Sequence, residues 1–132
     1  MTTHEYYMHK ALQEARQAAE EGEIPVGAVV VCKGKIIARA HNETEKLNDV
    51  TAHAEMLAIT MATSYLGGKY LNECTLYVTM EPCTMCAGAL SWAQLGELVT
   101  GAPDPHQPDR RDDRMLPPGE RTEIKLRNHF VT

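Results

Sequence analysis

Two short segments of the sequence carry residue types that bind metals. His53 is followed two residues later by Glu55, and Cys83 and Cys86 form a Cys-x-x-Cys pair directly after Pro82. At a helix start this spacing places two sulfur atoms within one turn, as two corners of a zinc tetrahedron require. His53 supplies a third ligand, and three protein ligands leave the fourth position open to water, as in catalytic zinc sites. The sequence therefore predicts Zn²⁺ bound by His53, Cys83 and Cys86.

Glu55 is the predicted catalytic residue. Zinc lowers the pKa of a bound water to about 7, and a neighbouring carboxylate can take the released proton and deliver it to a leaving nitrogen. Each half of the pattern also has an ordinary interpretation, since Cys-x-x-Cys occurs as a redox pair and a histidine at a helix start is often solvated or capping. The two halves together, each at a helix start with a strand between them, favour a catalytic zinc site.

Length and composition bound the class of protein. The chain has 132 residues, 43% apolar and 23% charged, which predicts a single soluble domain over residues 1–132. No apolar run approaches the roughly 18 residues of a membrane span, and the N-terminus has no secretory pattern. We therefore expect a cytoplasmic protein without a membrane partner, in which cysteines are thiols or metal ligands. A formal charge of −5 weakens, without excluding, a nucleic-acid partner.

The elements that must position the metal ligands follow from hydrophobic patterning. Their order is α-β-β-α-β-α-β, and the strand–helix–strand units predict parallel pairing after the first hairpin. The fold class expected is α/β, a three-layer α/β/α sandwich around a mixed sheet. The predicted helices are residues 4–21, 52–64 and 83–93; the predicted strands are residues 26–32, 36–38, 75–79 and 98–100, with a loop at 41–50.

Several side chains outside the metal segments also have predicted environments. The first helix has a rough apolar stripe, formed by Tyr7, Leu12, Ala15 and Ala19. Trp92 is expected in the core or a pocket wall, and His41 at the surface. Cys32 and Cys74, in or beside strands, are expected to be buried free thiols.

The C-terminal segment has a different composition. Five prolines fall between residues 103 and 118, with charges crowded between them, which predicts an irregular loop over residues 103–132. A last short strand is predicted at 121–126, and a final helix is predicted to be short or missing.

At this point the sequence resembles a known group of enzymes. The pattern His-x-Glu…Pro-Cys-x-x-Cys is that of the cytidine deaminase-like zinc enzymes, and the chain resembles most the bacterial tRNA-specific adenosine deaminases. The resemblance covers roughly residues 4–104. The matching stretches are 23–29 (EIPVGAV), 51–55 (TAHAE), 75–89 (TLYVTMEPCTMCAGA), and Gly101-Ala102 with Asp104.

The resemblance implies a specific reaction and specific contacts. The reaction is hydrolytic conversion of adenosine to inosine at the wobble position of a tRNA anticodon stem-loop, with the base flipped into the pocket and attacked at carbon 6. By resemblance, Asn42 hydrogen-bonds the base, Val26 and the backbone at Ala54 line the pocket, and Asp104 lies in a loop that meets the nucleotide. The resemblance also implies a homodimer.

Departures from the family pattern keep alternatives open. Gln94 and Glu97 stand where the family has basic residues, and the segment after Asp104 lacks the usual basic, glycine-containing loop. With the net charge and Trp92, these features leave room for a deaminase of free nucleobases or nucleosides, of the guanine or cytosine type. A zinc-stabilised binding subunit without activity is a third possibility, which Glu55 argues against because a structural site has no use for a proton carrier.

Overall fold

A computed structural model describes residues 1–102 and 124–126 of the chain. The elements alternate largely as the sequence predicts. They are α1 (Thr3–Glu20), β1 (Gly27–Cys32), β2 (Lys35–His41), α2 (Ala54–Leu66), β3 (Cys74–Met80), α3 (Thr84–Trp92), β4 (Glu97–Ala102) and β5 (Ile124–Leu126). Among the described residues, no helix is long and apolar enough to cross a membrane.

The strands form one mixed sheet in the order β2-β1-β3-β4-β5. β1 pairs antiparallel with both β2 and β3, and only the β3–β4 pairing is parallel among the described strands. The strands β2 and β3 therefore run in the same direction on either side of β1, and α2 crosses over β1 to connect them. The predicted parallel pairing is thus found at β3–β4, across the α3 connection.

Helices cover both faces of the sheet. One buried cluster joins α2 and α3 to the sheet through residues such as Ala58, Leu76 and Leu90, all fully buried. The other joins α1 to the opposite face, where Ala11 contacts a cluster of Val29, Val31, Tyr77 and Val99. The predicted three-layer α/β/α sandwich is confirmed.

The helix α1 rests on the sheet through alanines. Its buried residues are Ala11, Ala15 and Ala18, and Tyr7 packs against the same cluster. The predicted stripe was therefore right at Tyr7 and Ala15 and wrong by one position at Leu12 and Ala19, which are exposed. The reason lies in Gly27 of β1, where an added Cβ would overlap the carbonyl oxygen of Ala11. The helix backbone approaches the strand so closely that only small side chains fit between them.

Other differences from the sequence prediction are local. The strand β2 extends through His41, which was expected in a loop and at the surface but is half-buried, and α2 begins at Ala54 rather than at residue 52. Trp92 is 86% exposed, so its predicted place in the core or a pocket wall was wrong. Cys74 is buried as predicted, and Cys32 is half-buried. Asp104 and the predicted irregular segment lie outside the described residues, apart from the three residues of β5.

Candidate metal centre

The helices α2 and α3 each begin at a predicted metal ligand. His53 is the N-cap of α2 and Cys83 is the N-cap of α3, both with extended backbone. Neither side chain makes a hydrogen bond that caps its own helix. The imidazole and the thiol are therefore not engaged in capping, and both are turned toward the same point between the two helix starts.

The three predicted ligands converge in the geometry that zinc requires. His53 Nδ1 lies 3.7 Å from Cys83 Sγ and 3.6 Å from Cys86 Sγ, and one ligand atom from each residue lies within 4.8 Å of the others. Tetrahedral bonds of about 2.3 Å to sulfur and about 2.0 Å to nitrogen place a nitrogen ligand and a sulfur ligand about 3.5–3.6 Å apart. The donor set and both nitrogen–sulfur distances therefore fit Zn²⁺.

The electrostatics of the site favour an added cation. Cys86 is fully buried, whereas His53 and Cys83 are half-buried. Burial raises the pKa of the Cys86 thiol, and the charge of Glu55 and the neighbouring Cys83 raise it further. A divalent cation reverses this balance, because a thiol that coordinates it is deprotonated outright.

Glu55 is the second residue of α2, two positions after the metal ligand His53. Its side chain is only 4% exposed, and its charge is close enough to Cys86 to affect the pKa of that thiol. A carboxylate in such a partly dry position beside an open metal coordination site has the placement of a proton carrier.

The predicted substrate residues Val26, Asn42 and Ala54 lie side by side next to the metal ligands. The Asn42 N–H donates to Val26 O at 3.1 Å, and the Ala54 N–H donates to Asn42 Oδ1 at 2.7 Å. All three residues are buried. The side chain of Asn42 therefore fixes the start of α2, and its NH₂ group is the part of the amide that the bond to Ala54 does not use.

Two buried carboxylates near the site have no role in the sequence prediction. Glu23, 7% exposed, accepts from the N–H groups of Glu45 and Lys46 at 3.0 and 2.9 Å, and so anchors the loop that follows Asn42. Glu81, 6% exposed, lies between the end of β3 and Cys83. The available signal was position, because each lies within a stretch that carries the resemblance: Glu23 two residues before Pro25, and Glu81 directly before Pro82.

A second histidine joins α1 to β2. His41 Nδ1 lies 2.9 Å from Glu14 Oε1, and His41 Nε2 lies 3.0 Å from Glu21 Oε1. Burial lowers the pKa of His41, but the hydrogen bonds and charges of the two glutamates outweigh it, so the pKa is raised overall. The protonated ring donates to both carboxylates at once and holds the helix against the strand. Glu43 lies near enough to form a potential ligand group with Glu21 and His41.

Comparison with known proteins agrees with this site. The family model for the cytidine and deoxycytidylate deaminase zinc-binding region matches residues 1–102. The tRNA-specific adenosine deaminase of Agrobacterium fabrum is 52% identical over 105 residues, which are 80% of this chain and 69% of that protein. The enzyme of the same name from Bacillus subtilis is also 52% identical over 105 residues, which are 80% of this chain and 65% of that protein. This chain thus spans about two-thirds of the length of these curated relatives.

Solved structures give the same grouping. A structure from work on A-to-I editing by tRNA:A34 deaminases at the wobble position is 54% identical, with a TM-score of 0.74, over 76% of this chain and 72% of that chain. Guanine deaminase from Bacillus subtilis is 34% identical, with a TM-score of 0.76, over 98% of this chain and 90% of that chain. On the family match over residues 1–102 and the donor set found here, the chain belongs to the cytidine and deoxycytidylate deaminase zinc-binding family, with Zn²⁺ as its metal.

Proposed function

We propose that this protein deaminates adenosine to inosine at the wobble position of tRNA, by hydrolysis at the centre formed by His53, Cys83 and Cys86. The observation that carries the proposal is the buried Glu55 beside a centre to which the described residues supply three ligands, because a structural zinc site is closed by four protein ligands. The substrate follows the relatives that are 52–54% identical, which are named as tRNA adenosine deaminases.

The residues of the chain divide the chemistry between them. Zinc, when bound, supplies Lewis-acid activation of water near neutral pH. Glu55 accepts the proton that the water loses on attack and delivers it to the exocyclic nitrogen, which leaves carbon 6 as ammonia. The low exposure of Glu55 keeps bulk water from competing for that proton.

Asn42 binds the substrate through its amide NH₂ group in this proposal. Its Oδ1 accepts from Ala54, so the NH₂ group is the part of the side chain that this bond does not use, and as a donor it suits an acceptor on the nucleotide. Val26 and the backbone at Ala54 supply the adjoining wall of the pocket. We further propose, from the resemblance alone, that Asp104 contacts the nucleotide.

A deaminase of free nucleobases or nucleosides is not favoured. Guanine deaminase from Bacillus subtilis matches a larger share of the chain, but its identity is 34%, against 52–54% for the tRNA deaminases. The higher identity favours the tRNA substrate, and the experiment below compares the two substrate classes directly.

The assembly and cellular location are parts of the same proposal. We propose one domain over residues 1–132, a homodimer and a cytoplasmic location, where tRNA substrates are found. In support of the dimer, α2 and α3 expose large apolar side chains, which commonly mark protein–protein contacts when they are contiguous. These are Met61, Met85 and Trp92.

The test measures ammonia and inosine released by zinc-loaded protein. The substrates are an anticodon stem-loop with adenosine at the wobble position, the same stem-loop with guanosine there, and a panel of free bases and nucleosides. We expect release from the adenosine stem-loop alone, with binding that weakens steeply as salt rises. Release from free guanine or cytosine but not from the stem-loop would overturn the proposed substrate. No release from any of them would favour a binding subunit.

A further inference from the structure

A pair of thiols lies at the end of the sheet remote from the metal centre. Cys32 ends β1 and Cys74 begins β3, and the two residues are directly opposed partners in the antiparallel ladder. The strand β3 runs seven residues from Cys74 toward the metal ligand Cys83, a span of about 20 Å at the usual rise of a strand. The pair therefore takes no part in the metal centre.

The register brings these two residues within reach of a bond. The N–H of Cys74 donates to Leu71 O at 3.0 Å, outside the ladder, which is the arrangement of an opposed pair not joined by its own N–H···O bonds. Such pairs have Cα atoms about 4.5 Å apart and side chains closer than in the alternative pairing. That separation falls within the range of about 4.4–6.8 Å found in disulfides.

The two thiols differ in access. Cys74 is 2% exposed and Cys32 is half-buried, yet both line an open pocket of about 460 Å³ whose walls include Tyr65 and Tyr70. Burial, with the neighbouring Cys32, raises the pKa of Cys74 to about 12. A disulfide reagent that enters the pocket is therefore expected to react first with Cys32, because the thiolate is the reactive form and Cys74 is both buried and protonated.

The charges around the pocket favour an anionic reagent. Lys33 and Lys35 line it, against the single carboxylate of Glu73. The Lys33–Glu73 pair, at 3.4 Å, has side chains 79% and 63% exposed, so it contributes little and separates readily. Lys35 donates to the Tyr65 hydroxyl at 2.7 Å and keeps its positive charge.

We propose that Cys32 and Cys74 form a dithiol site that reacts with an anionic low-molecular-weight disulfide and closes to a cross-strand disulfide. In the first step the Cys32 thiolate attacks one sulfur of the reagent, forms a mixed disulfide and releases one thiolate. In the second step Cys74 gives up its proton, and its sulfur attacks Cys32 Sγ and releases the second thiolate of the reagent. The protein loses two protons and two electrons, and the reagent gains them as it becomes two thiols. This site is independent of the proposed deaminase function.

The test uses zinc-loaded protein and oxidised glutathione without denaturant, followed by alkylation of free thiols and peptide mass spectrometry. Wild type is expected to lose two hydrogens, retain no glutathione and show Cys32 linked to Cys74. The Cys74→Ala variant is expected to retain glutathione on Cys32, and the Cys32→Ala variant to remain unmodified at Cys74. Glutathione retained on the wild type, or linkage of Cys83 or Cys86 with loss of zinc, would overturn the proposal.

Two further measurements separate the site from adventitious oxidation. The melting temperature of oxidised wild type is expected to rise and to fall back on reduction, since the bond closes a long loop of the unfolded chain. The double variant Lys33→Ala with Lys35→Ala is expected to react several-fold more slowly with oxidised glutathione but at the wild-type rate with neutral hydroxyethyl disulfide. An equal slowing with both reagents would contradict the role of the lysines.

Discussion

Replacing Asn42 with alanine isolates the hydrogen bond that fixes the start of α2. Asn42 Oδ1 accepts from the Ala54 N–H at 2.7 Å, Ala54 is fully buried, and Asn42 is 5% exposed. In Asn42→Ala the donor remains buried and loses its acceptor, which costs about 1–3 kcal/mol. For a domain of this size each kcal/mol lowers the melting temperature by about 4 °C, so we expect a fall of about 4–12 °C.

The assay is urea unfolding of wild type and variant at one fixed zinc concentration, because bound metal contributes to the measured free energy. Asn72→Ala is the matched control, since Asn72 lies exposed in the segment before β3 and is expected to change stability by less than about 0.5 kcal/mol. Hydrogen exchange of the Ala54 amide should accelerate in Asn42→Ala. A variant as stable as wild type, with an equally protected amide, would refute the assignment of Asn42 as the anchor of α2.

Five further substitutions test the fold and the metal centre. Gly27→Ala should lower the free energy of unfolding by at least about 1–3 kcal/mol, because its Cβ meets the backbone of α1; Gly88→Ala, exposed on α3 with nothing near its Cβ, should raise it by about 0.5–1 kcal/mol. The two glutamate partners of His41 raise its pKa above the unfolded value. The stability that these ion pairs contribute is therefore fully present below the unfolded pKa of about 6.5 and is lost as pH rises through the folded pKa. The stability difference between wild type and His41→Asn should therefore shrink as pH rises through the folded pKa, and a difference that grows would contradict the sign. The variants Cys83→Ala and His53→Ala should each bind less zinc than wild type, as measured by elemental analysis. Unchanged zinc content would contradict the ligand assignment.

The metal centre could be predicted from the sequence because each half of its pattern has a short, fixed spacing, from His53 to Glu55 and from Cys83 to Cys86. Cys83 and Cys86 are one turn apart, and the elements after His53 and before Cys83 have strong local patterns. Zinc also selects its ligands from few residue types, chiefly cysteine, histidine and the carboxylates, so a histidine and a Cys-x-x-Cys pair at helix starts form an informative combination. The order of helices and strands followed from hydrophobic periodicity in the same way.

Features that depend on contacts between distant segments could not be predicted. The stripe of α1 was misplaced because the choice of Ala11 over Leu12 depends on the close approach of Gly27 from another element. The opposition of Cys32 to Cys74 depends on the register of β1 with β3, which no local pattern specifies. Trp92 was expected in the core or a pocket wall, and its exposure depends on which segments pack around α3.

The role of Glu55 is tested most directly by inosine formation with zinc-loaded wild type and Glu55→Gln, with zinc content measured in both. Glutamine keeps the shape of the side chain but cannot carry the proton, so we expect full zinc content and a loss of at least about 10²-fold in turnover on the adenosine stem-loop. Turnover by Glu55→Gln at the wild-type rate, with zinc still bound, would show that another group moves the proton and would contradict the account.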